Sequence, residues 1–237
     1  MKISNPFRDL SRFEMVLYIV SMASVFGSFL FFDRSDMMSV AASLIGVTAL
    51  IFIAKGYVIG QILVVIFAVL YGIISFFFRY YGEVITYLCM TAPIAVISII
   101  SWIKHPYQDT KEVEVSNISK KQIVIMLFWT VIVTTAFAFI LSALKNANLI
   151  VSVFSVTTSF IASYLTFLRS PYYALGYAVN DIVLIVLWAK AAQAEAKYIP
   201  MVICFAVFFA NDIYGFYNWQ KMQKRQGVIQ LNEKVKR

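Results

Sequence analysis

The most constraining feature of this chain is a succession of long stretches that contain almost no charged residue. A helix needs roughly 20 apolar residues to cross the hydrocarbon core of a bilayer. Eight stretches reach or approach that length: 13–32, 37–54, 57–78, 84–103, 122–144, 148–168, 171–192 and 197–219. They lack the period-two alternation of barrel strands. Because 61% of the residues are hydrophobic, above the roughly 45–50% of a soluble domain, the sequence predicts an all-α integral membrane protein with eight transmembrane helices.

The basic residues predict how these helices are oriented. An even number of spans places both chain termini on one side of the membrane, together with the longer connection 104–121. On that basis 15 of the 20 Lys and Arg residues lie on the side of the termini. The other five are Arg34, Arg79, Lys145, Lys190 and Lys197. Since Lys and Arg concentrate in cytoplasmic segments, both termini are predicted to be cytoplasmic.

The spans also indicate an internal repeat. Residues 37–102 placed over 154–219 align Trp102 with Trp219 and Lys104 with Lys221, so that each half has three spans ending in a tryptophan. The single span between the halves gives them the same orientation, as in sugar-efflux transporters of the SWEET kind. The alternative, that any protein with many spans can be divided in this way, stays open.

This repeat predicts five regions along the chain. They are an N-terminal region with an extra helix at 1–36, a first three-helix repeat at 37–103, a cytoplasmic loop and linking helix at 104–147, a second repeat at 148–220 and a basic cytoplasmic tail at 221–237.

Several classes of function find no support in the sequence. The formal charge of +8 comes from short segments between spans, so nucleic acid is not expected as a partner. A single histidine, His105, and two cysteines inside apolar runs, Cys89 and Cys204, provide no ligand set for zinc or haem, and no cofactor is predicted. No cluster of His, Ser and Cys at one depth points to an enzyme.

Two Asn-Asp pairs stand inside otherwise apolar spans, at Asn180–Asp181 and Asn211–Asp212. At 1.5 Å per residue, Asn180 lies about 14 Å along its helix and Asn211 about 12 Å from the end of the antiparallel next helix. The two pairs are therefore predicted at a similar depth. An ionised carboxylate facing lipid costs at least ~2.5–3.5 kcal/mol, so both aspartates are expected to face the protein interior.

Helical spacing predicts the surroundings of these pairs. Side chains three, four, seven or eight residues apart share a helix face. The faces that carry the pairs, with aromatic and amide groups of the first half, form a predicted substrate site made of Tyr173, Tyr177, Asn180, Asp181, Trp188, Asn211, Asp212, Tyr214, Asn218, Gln61 and Tyr71. Aromatic faces and amide edges suit a small, flat, polar-edged molecule.

Other interpretations of these polar residues stay open. Buried Asn and Asp can simply join helices through hydrogen bonds, and the two aspartates can bond to each other with one protonated. Carboxyl groups at mid-membrane depth also relay protons in pumps. Gln61 either contributes to the site or has a role near its helix end.

The motifs "YYALGYAVNDIVLIVLW" and "NDIYGFYNW", together with the two triple spans that end in tryptophan, resemble the PnuC family of vitamin transporters over about residues 37–221. The resemblance implies a SWEET-like arrangement of three, one and three helices, a homotrimer, and a place in the bacterial inner membrane. It also implies facilitated diffusion of nicotinamide riboside, with metabolic trapping by cytosolic phosphorylation.

Carried over to this chain, the family motif implies site roles for Asn180 and for Asn211, Tyr214, Gly215 and Trp219. The sequence departs from the family at Tyr173, Gly176, Ala95 and Ser98, where large rings, a glutamine and a glycine are common. Uptake of a deoxynucleoside or thiamine on the same fold therefore stays open as an alternative, as does proton-coupled symport.

Overall fold

Helices make up nearly all of the computed structural model, which describes residues 5–34, 36–77, 81–146 and 148–235, without side chains at 81–82 and 228–235. Arg79 and the last two residues of the predicted tail lie outside the described residues. The helices are α1 (Arg12–Phe32), α2 (Met37–Ala54), α3 (Val58–Phe77), α4 (Tyr81–Ile85), α5 (Ala92–Lys104), α6 (Lys120–Ala143), α7 (Leu149–Phe167), α8 (Tyr172–Ala194) and α9 (Ile199–Val235).

Within the described residues, eight helical segments are long and apolar enough to cross a membrane, because α4 and α5 act as one span. This confirms the predicted all-α membrane fold and its number of spans. The helix limits agree with the predicted ones to within about three residues except at two places, the fourth span and the last helix.

The fourth span is not a uniform α-helix. A π-helical stretch, Thr86–Thr91, joins α4 to α5. Pro93 follows it and has no amide hydrogen to donate to the preceding turn, so the backbone bonds shift their spacing there. The apolar pattern of this span showed its length but not this local widening.

The last helix is longer than its span. The apolar run ends at Trp219, whereas α9 continues to Val235, through the predicted basic tail. Gln226 on this extension accepts a hydrogen bond from Val115 N (2.8 Å) and donates to Val113 O (3.2 Å). The end of hydrophobicity at Trp219 therefore marks where the membrane-spanning part ends and not where the helix ends.

The connection between α5 and α6 contacts both the N-terminal segment and α9 at one end of the helix bundle. Lys111 of this connection pairs with Asp9 (2.5 Å), and Glu112 pairs with Arg225 of α9. Both ends of the described chain thus meet the connection at the same end of the bundle, which we call the terminal end. Its assignment to the cytoplasm stays a prediction.

The helices α2 and α7 finish in matched turns at the terminal end. In each, one residue with positive φ follows the last turn: Gly56 (φ 69°) after α2 and Arg169 (φ 57°) after α7. The following residue donates its amide hydrogen to the carbonyl group five residues earlier, from Tyr57 N to Phe52 O and from Ser170 N to Leu165 O. These bonds satisfy carbonyl groups that the helix end leaves open.

Two buried tryptophans form hydrogen bonds to the last turns of α2 and α7. Trp102, near the end of α5, donates its indole hydrogen to Thr166 O of α7 (3.0 Å). Trp219 of α9 donates to Ile53 O of α2 (2.8 Å), and the two ring centroids are 5.5 Å apart. Each third helix of a predicted repeat therefore bonds to the first helix of the other one.

The extra helix α1 is attached to the bundle by a buried ion pair. Glu14, only 3% exposed, lies 3.0 Å from Lys55 Nζ and accepts a hydrogen bond from Tyr214 Oη (2.7 Å). Further along α1, away from the terminal end, Ser21 accepts a hydrogen bond from Asn211 Nδ2 (2.9 Å). Polar side chains of α9 are thus used to hold α1.

Candidate functional site

A wide cavity of about 300 Å³ opens at the end opposite the terminal end, between α4, the α6–α7 turn and α8. Its polar and aromatic lining consists of Tyr71, Glu83, Thr86, Tyr87, Asn146, Asn148, Ser152, Ser155, Ser159, Asn180, Trp188 and Lys190. The rest of its lining is apolar and consists of Leu141, Val156, Leu184, Leu187 and Ala191. The wide cavity therefore offers a solute both hydrogen-bonding groups and apolar surface.

A deep cavity of about 90 Å³ lies next to the wide one, further toward the terminal end. Its polar and aromatic lining consists of Gln61, Phe67, Tyr87, Thr91, Ser159, Tyr173, Tyr177, Asn180, Asp181, Phe205, Phe208 and Asp212. The two cavities share Tyr87, Ser159, Asn180 and Leu184. The two cavities therefore adjoin at these residues.

Asn180 stands at the junction, on the predicted face of α8. Thr158 Oγ1 of α7 lies 2.8 Å from Asn180 Oδ1, and Ser155 Oγ lies 3.4 Å from the same atom. With the amide oxygen held by hydroxyl groups, the Nδ2 hydrogens are the ones that remain for a ligand. The asparagine is thus fixed in orientation before anything binds.

The two aspartates meet across α8 and α9. Both are 3% exposed, and their carboxyl groups are in hydrogen-bonding contact. Two carboxyl groups form such a bond only when one of them carries a proton. The pair therefore holds at least one proton beside the deep cavity.

Gln61 of α3 faces this acid pair from the first half of the chain. It is 2% exposed, and its Nε2 has no hydrogen-bond partner among the described residues. A buried amide donor without a partner costs about 1–3 kcal/mol, which a ligand acceptor recovers. The glutamine is therefore a donor available for a ligand.

Tyrosines and a tryptophan close the deep cavity toward the terminal end. Tyr177 Oη lies 2.9 Å from Ser163 Oγ. The Tyr173 ring packs edge-on against Trp219, with centroids 4.9 Å apart, and Trp219 packs against Trp102. These rings form the barrier between the cavities and the terminal end. At Gly215, a Cβ would stand 3.1 Å from Tyr173 Oη, so the glycine makes room for this ring.

The structure brings together eight of the eleven predicted site residues. Tyr71 and Trp188 line the wide cavity, Asn180 lines both cavities, and the deep cavity receives Gln61, Tyr173, Tyr177, Asp181 and Asp212.

The other three predicted residues lie away from both cavities. Asn211 donates to Ser21 Oγ and to Val207 O (2.8 Å), Tyr214 donates to Glu14, and Asn218 donates to Ala54 O (2.8 Å). In this structure all three join helices.

Sequence reasoning did not find Thr158, Ser155, Ser159 or Glu83. The hydroxyl groups sit on α7 among many other Ser and Thr residues, and nothing in their spacing distinguishes them. Glu83 was counted as part of a polar break between spans, although it accepts a hydrogen bond from Ser75 (3.3 Å) and lines the wide cavity. Its carboxylate next to the boundary of a span was the one sequence feature that could have indicated a place in the site.

Comparison with known proteins places the fold among solved transporters. The sequence profile of a family described as nicotinamide mononucleotide transporter matches residues 36–221. A nicotinamide riboside transporter PnuC from Neisseria mucosa is 28% identical over 225 residues, which cover 92% of this chain and 85% of that protein. A solved structure described as the vitamin B3 transporter PnuC superposes with a TM-score of 0.79 at 24% identity, covering 92% of this chain and 94% of that one.

Proposed function

The chain belongs to the nicotinamide mononucleotide transporter (PnuC) family of membrane proteins, and from this membership we propose that it carries nicotinamide riboside across the membrane. The substrate is named by the similar protein from Neisseria mucosa. The observation that carries the proposal is the buried Nε2 of Gln61, which has no partner among the described residues and whose residue lines one cavity with the acid pair and Asn180.

The proposed site uses this polar triangle for the substrate. Asn180 Nδ2 and Gln61 Nε2 supply donors, and the carboxyl groups of Asp181 and Asp212 accept from ribose hydroxyl groups. Tyr87, at the wall shared by the two cavities, offers a ring face to the flat base. The deep cavity receives one part of the molecule and the wide cavity the remainder.

Ionisation of the acid pair would favour a cationic substrate. A negative charge on the pair would lie in a region of low dielectric, where an opposite charge is attracted more strongly than in water. Nicotinamide riboside carries a positive pyridinium ring, and thiamine is also a cation, whereas deoxynucleosides are neutral. An ionised pair therefore favours the two vitamins over a deoxynucleoside.

The predicted residues Asn211, Tyr214 and Asn218 take a different part in this proposal. Their side chains are bonded to α1 and α2, so we assign them to holding these helices against α9. They affect transport through the position of α9 and do not touch the substrate.

The two predicted repeats, 37–103 and 148–220, supply the frame for movement. The matched turns after α2 and α7 and the exchanged indole bonds of Trp102 and Trp219 support a parallel pair of three-helix units. In this proposal the units rock about the cavity, and the substrate diffuses down its gradient through a homotrimer in a bacterial inner membrane. Phosphorylation in the cytosol then traps it.

A second candidate is proton-coupled transport, favoured by the proton that the acid pair shares. Uptake into proteoliposomes with and without a pH gradient separates the two mechanisms. Facilitated diffusion predicts equal initial rates, whereas coupling predicts faster uptake when the outside is acidic.

The substrate assignment is tested by calorimetric titration of purified protein with nicotinamide riboside, thiamine and a deoxynucleoside. We expect nicotinamide riboside to bind most tightly. The variant Gln61→Leu should bind it about two- to tenfold more weakly, the share of one hydrogen bond, and yet unfold no more easily than the wild type, because an unpaired buried donor is removed.

The matched control for this variant is Gln193→Leu, at an exposed position near the end of α8. It should leave affinity unchanged. Unaltered binding by Gln61→Leu, or tighter binding of the deoxynucleoside, would overturn the proposed site.

A further inference from the structure

A third cavity lies near the terminal end, apart from the substrate path. It has a volume of about 360 Å³ and is bounded by the ends of α5 and α7, the start of α6 and the connection between α5 and α6. None of its lining residues belongs to the wide or the deep cavity. Its chemistry has to be explained independently of the transported solute.

One side of this third cavity is basic and the other is apolar. Lys104, His105 and Arg169 line it on the side of the connection. Ile97 and Ile100 of α5, each 49% exposed, line it on the side that a bilayer would cover. The cavity therefore crosses the boundary between the hydrocarbon core and the headgroup region.

Arg169 has an unusual backbone conformation for a large residue. Its φ of 57° lies in the left-handed region that favours glycine, and the matched turn after α2 has Gly56 there. The Arg169 backbone is fully bonded, through its amide to Thr166 O and through its carbonyl to Ser116 N (both 3.0 Å). A glycine at this position would make the same backbone hydrogen bonds without the strain. The backbone therefore gives no reason for an arginine here, and the reason has to lie in its side chain.

The guanidinium group of Arg169 has one donor without a partner. Its Nε is buried and has no hydrogen-bond partner among the described residues. Burial lowers the pKa of Arg169, with only a partial opposing effect from the charge of Glu114. An anion bound in the third cavity would compensate the charge of Arg169 further.

We propose that the third cavity binds the phosphate-bearing headgroup of an anionic phospholipid in the leaflet at the terminal end. Basic pockets between transmembrane helices at the membrane surface suit such headgroups. The acyl chains would lie along Ile97 and Ile100, an apolar surface that a soluble phosphate has no means of using. This combination of a cationic wall and a lipid-facing wall favours a lipid over a free anion.

The test compares binding of short-chain phosphatidylglycerol and phosphatidylcholine to the purified full-length chain, followed by native mass spectrometry and by thermal unfolding. We expect the wild type to prefer phosphatidylglycerol. Arg169→Gly should reduce that preference about fivefold, the contribution of one basic residue near an anionic surface. Because glycine relieves the positive φ, this variant should fold at least as well as the wild type.

Lys145→Gly is the matched control. Lys145 has a φ of 52° in a similar turn after α6, so the change also removes one charge and one strained residue, but it does not line the third cavity. It should keep the wild-type preference. Binding that is unchanged in Arg169→Gly, or a wild type without any preference, would overturn the proposal.

Two further measurements exclude other occupants. Inorganic phosphate is added in a parallel arm, and a stabilisation equal to that of phosphatidylglycerol and lost in Arg169→Gly would assign the site to a soluble anion instead. Light scattering follows the assembly size, and a smaller assembly in Arg169→Gly would mean that a second copy of the chain fills the groove. Either result would refute the lipid assignment, whereas the substrate site would be unaffected.

Discussion

The hydroxyl group of Thr158 provides the sharpest test of how the site is organised. In the structure it touches the Asn180 amide and lines neither cavity. If Asn180 binds the substrate, then Thr158→Val should weaken binding only by releasing the orientation of this amide. Valine has nearly the same shape as threonine, so the change removes one hydrogen bond and little packing.

The expected magnitudes follow from the bonds involved. Loss of the 2.8 Å bond from Thr158 is worth about 0.5–1.5 kcal/mol, or a two- to tenfold rise in Kd. Asn180→Ala removes both Nδ2 hydrogens from the substrate, about 1–3 kcal/mol, or a five- to 150-fold rise. The Thr158 hydroxyl keeps an acceptor in Phe154 O (3.0 Å), so the alanine variant should still fold.

The assay is calorimetric titration of nicotinamide riboside into the wild type, both single variants and the double variant. Because Thr158 acts through Asn180, the double variant should bind like Asn180→Ala alone, so that the coupling energy equals the whole effect of Thr158→Val. Thr134→Val is the matched control, since Thr134 makes a similar bond to Thr157 (2.9 Å) away from both cavities.

An additive double variant would refute this reasoning, because it would mean that Thr158 contributes without Asn180. Wild-type affinity in Asn180→Ala would refute the placement of the substrate itself. A loss of affinity in Thr134→Val equal to that of Thr158→Val would show that the effect is a general loosening of α7.

Three further predictions concern the frame around the site. Lys55→Met should lower the free energy of unfolding by about 1.5–3 kcal/mol, because Glu14 loses its cation but keeps the hydrogen bonds from Ser11 N and Tyr214 Oη, and adding Glu14→Gln should recover much of this. Thermal unfolding of the single and double variants checks it. Trp219→Phe should cost about 0.5–1.5 kcal/mol of stability by removing one hydrogen bond to the Ile53 carbonyl of α2, which keeps its bond from Gly56 N (2.8 Å), and unchanged thermal unfolding would contradict that role. The hydrogen bond from Lys111 holds the pKa of Asp9 below its ordinary value, so its stabilisation is present above about pH 4 and disappears as pH falls through the lowered pKa. The difference in Tm between wild type and Asp9→Asn should therefore shrink in acid, and a constant difference would contradict it.

Much of the architecture could be predicted from hydrophobicity alone. A bilayer imposes a fixed length on each apolar run, so the eight spans and their limits follow from the sequence. The predicted helix limits are wrong where an interaction other than hydrophobic burial determines the backbone. At Pro93 a missing amide hydrogen shifts the backbone bonds, and beyond Trp219 the helix α9 continues because the connection between α5 and α6 supports it through Gln226.

The residues of the candidate site were predicted only in part. Asp181 and Asp212 do meet, as their equal depth indicated, and Gln61 does face them from the other half. Asn180 and Asn211 were treated as equivalent, since each precedes one of these aspartates. The structure separates them, because Asn180 lies at the cavity and Asn211 is bonded to Ser21 of α1.

Sequence by itself determined the depth of each polar group, since residue count along a helix converts directly into distance through the bilayer. Only the tertiary structure decided what each group faces. Adjacent helical residues differ in direction by about 100°, so the neighbour of a side chain depends on how its helix is rotated and on which helix packs there. For Asn211 that neighbour is α1, a helix nearly 200 residues away in the chain, and no local pattern in the sequence specifies such a contact.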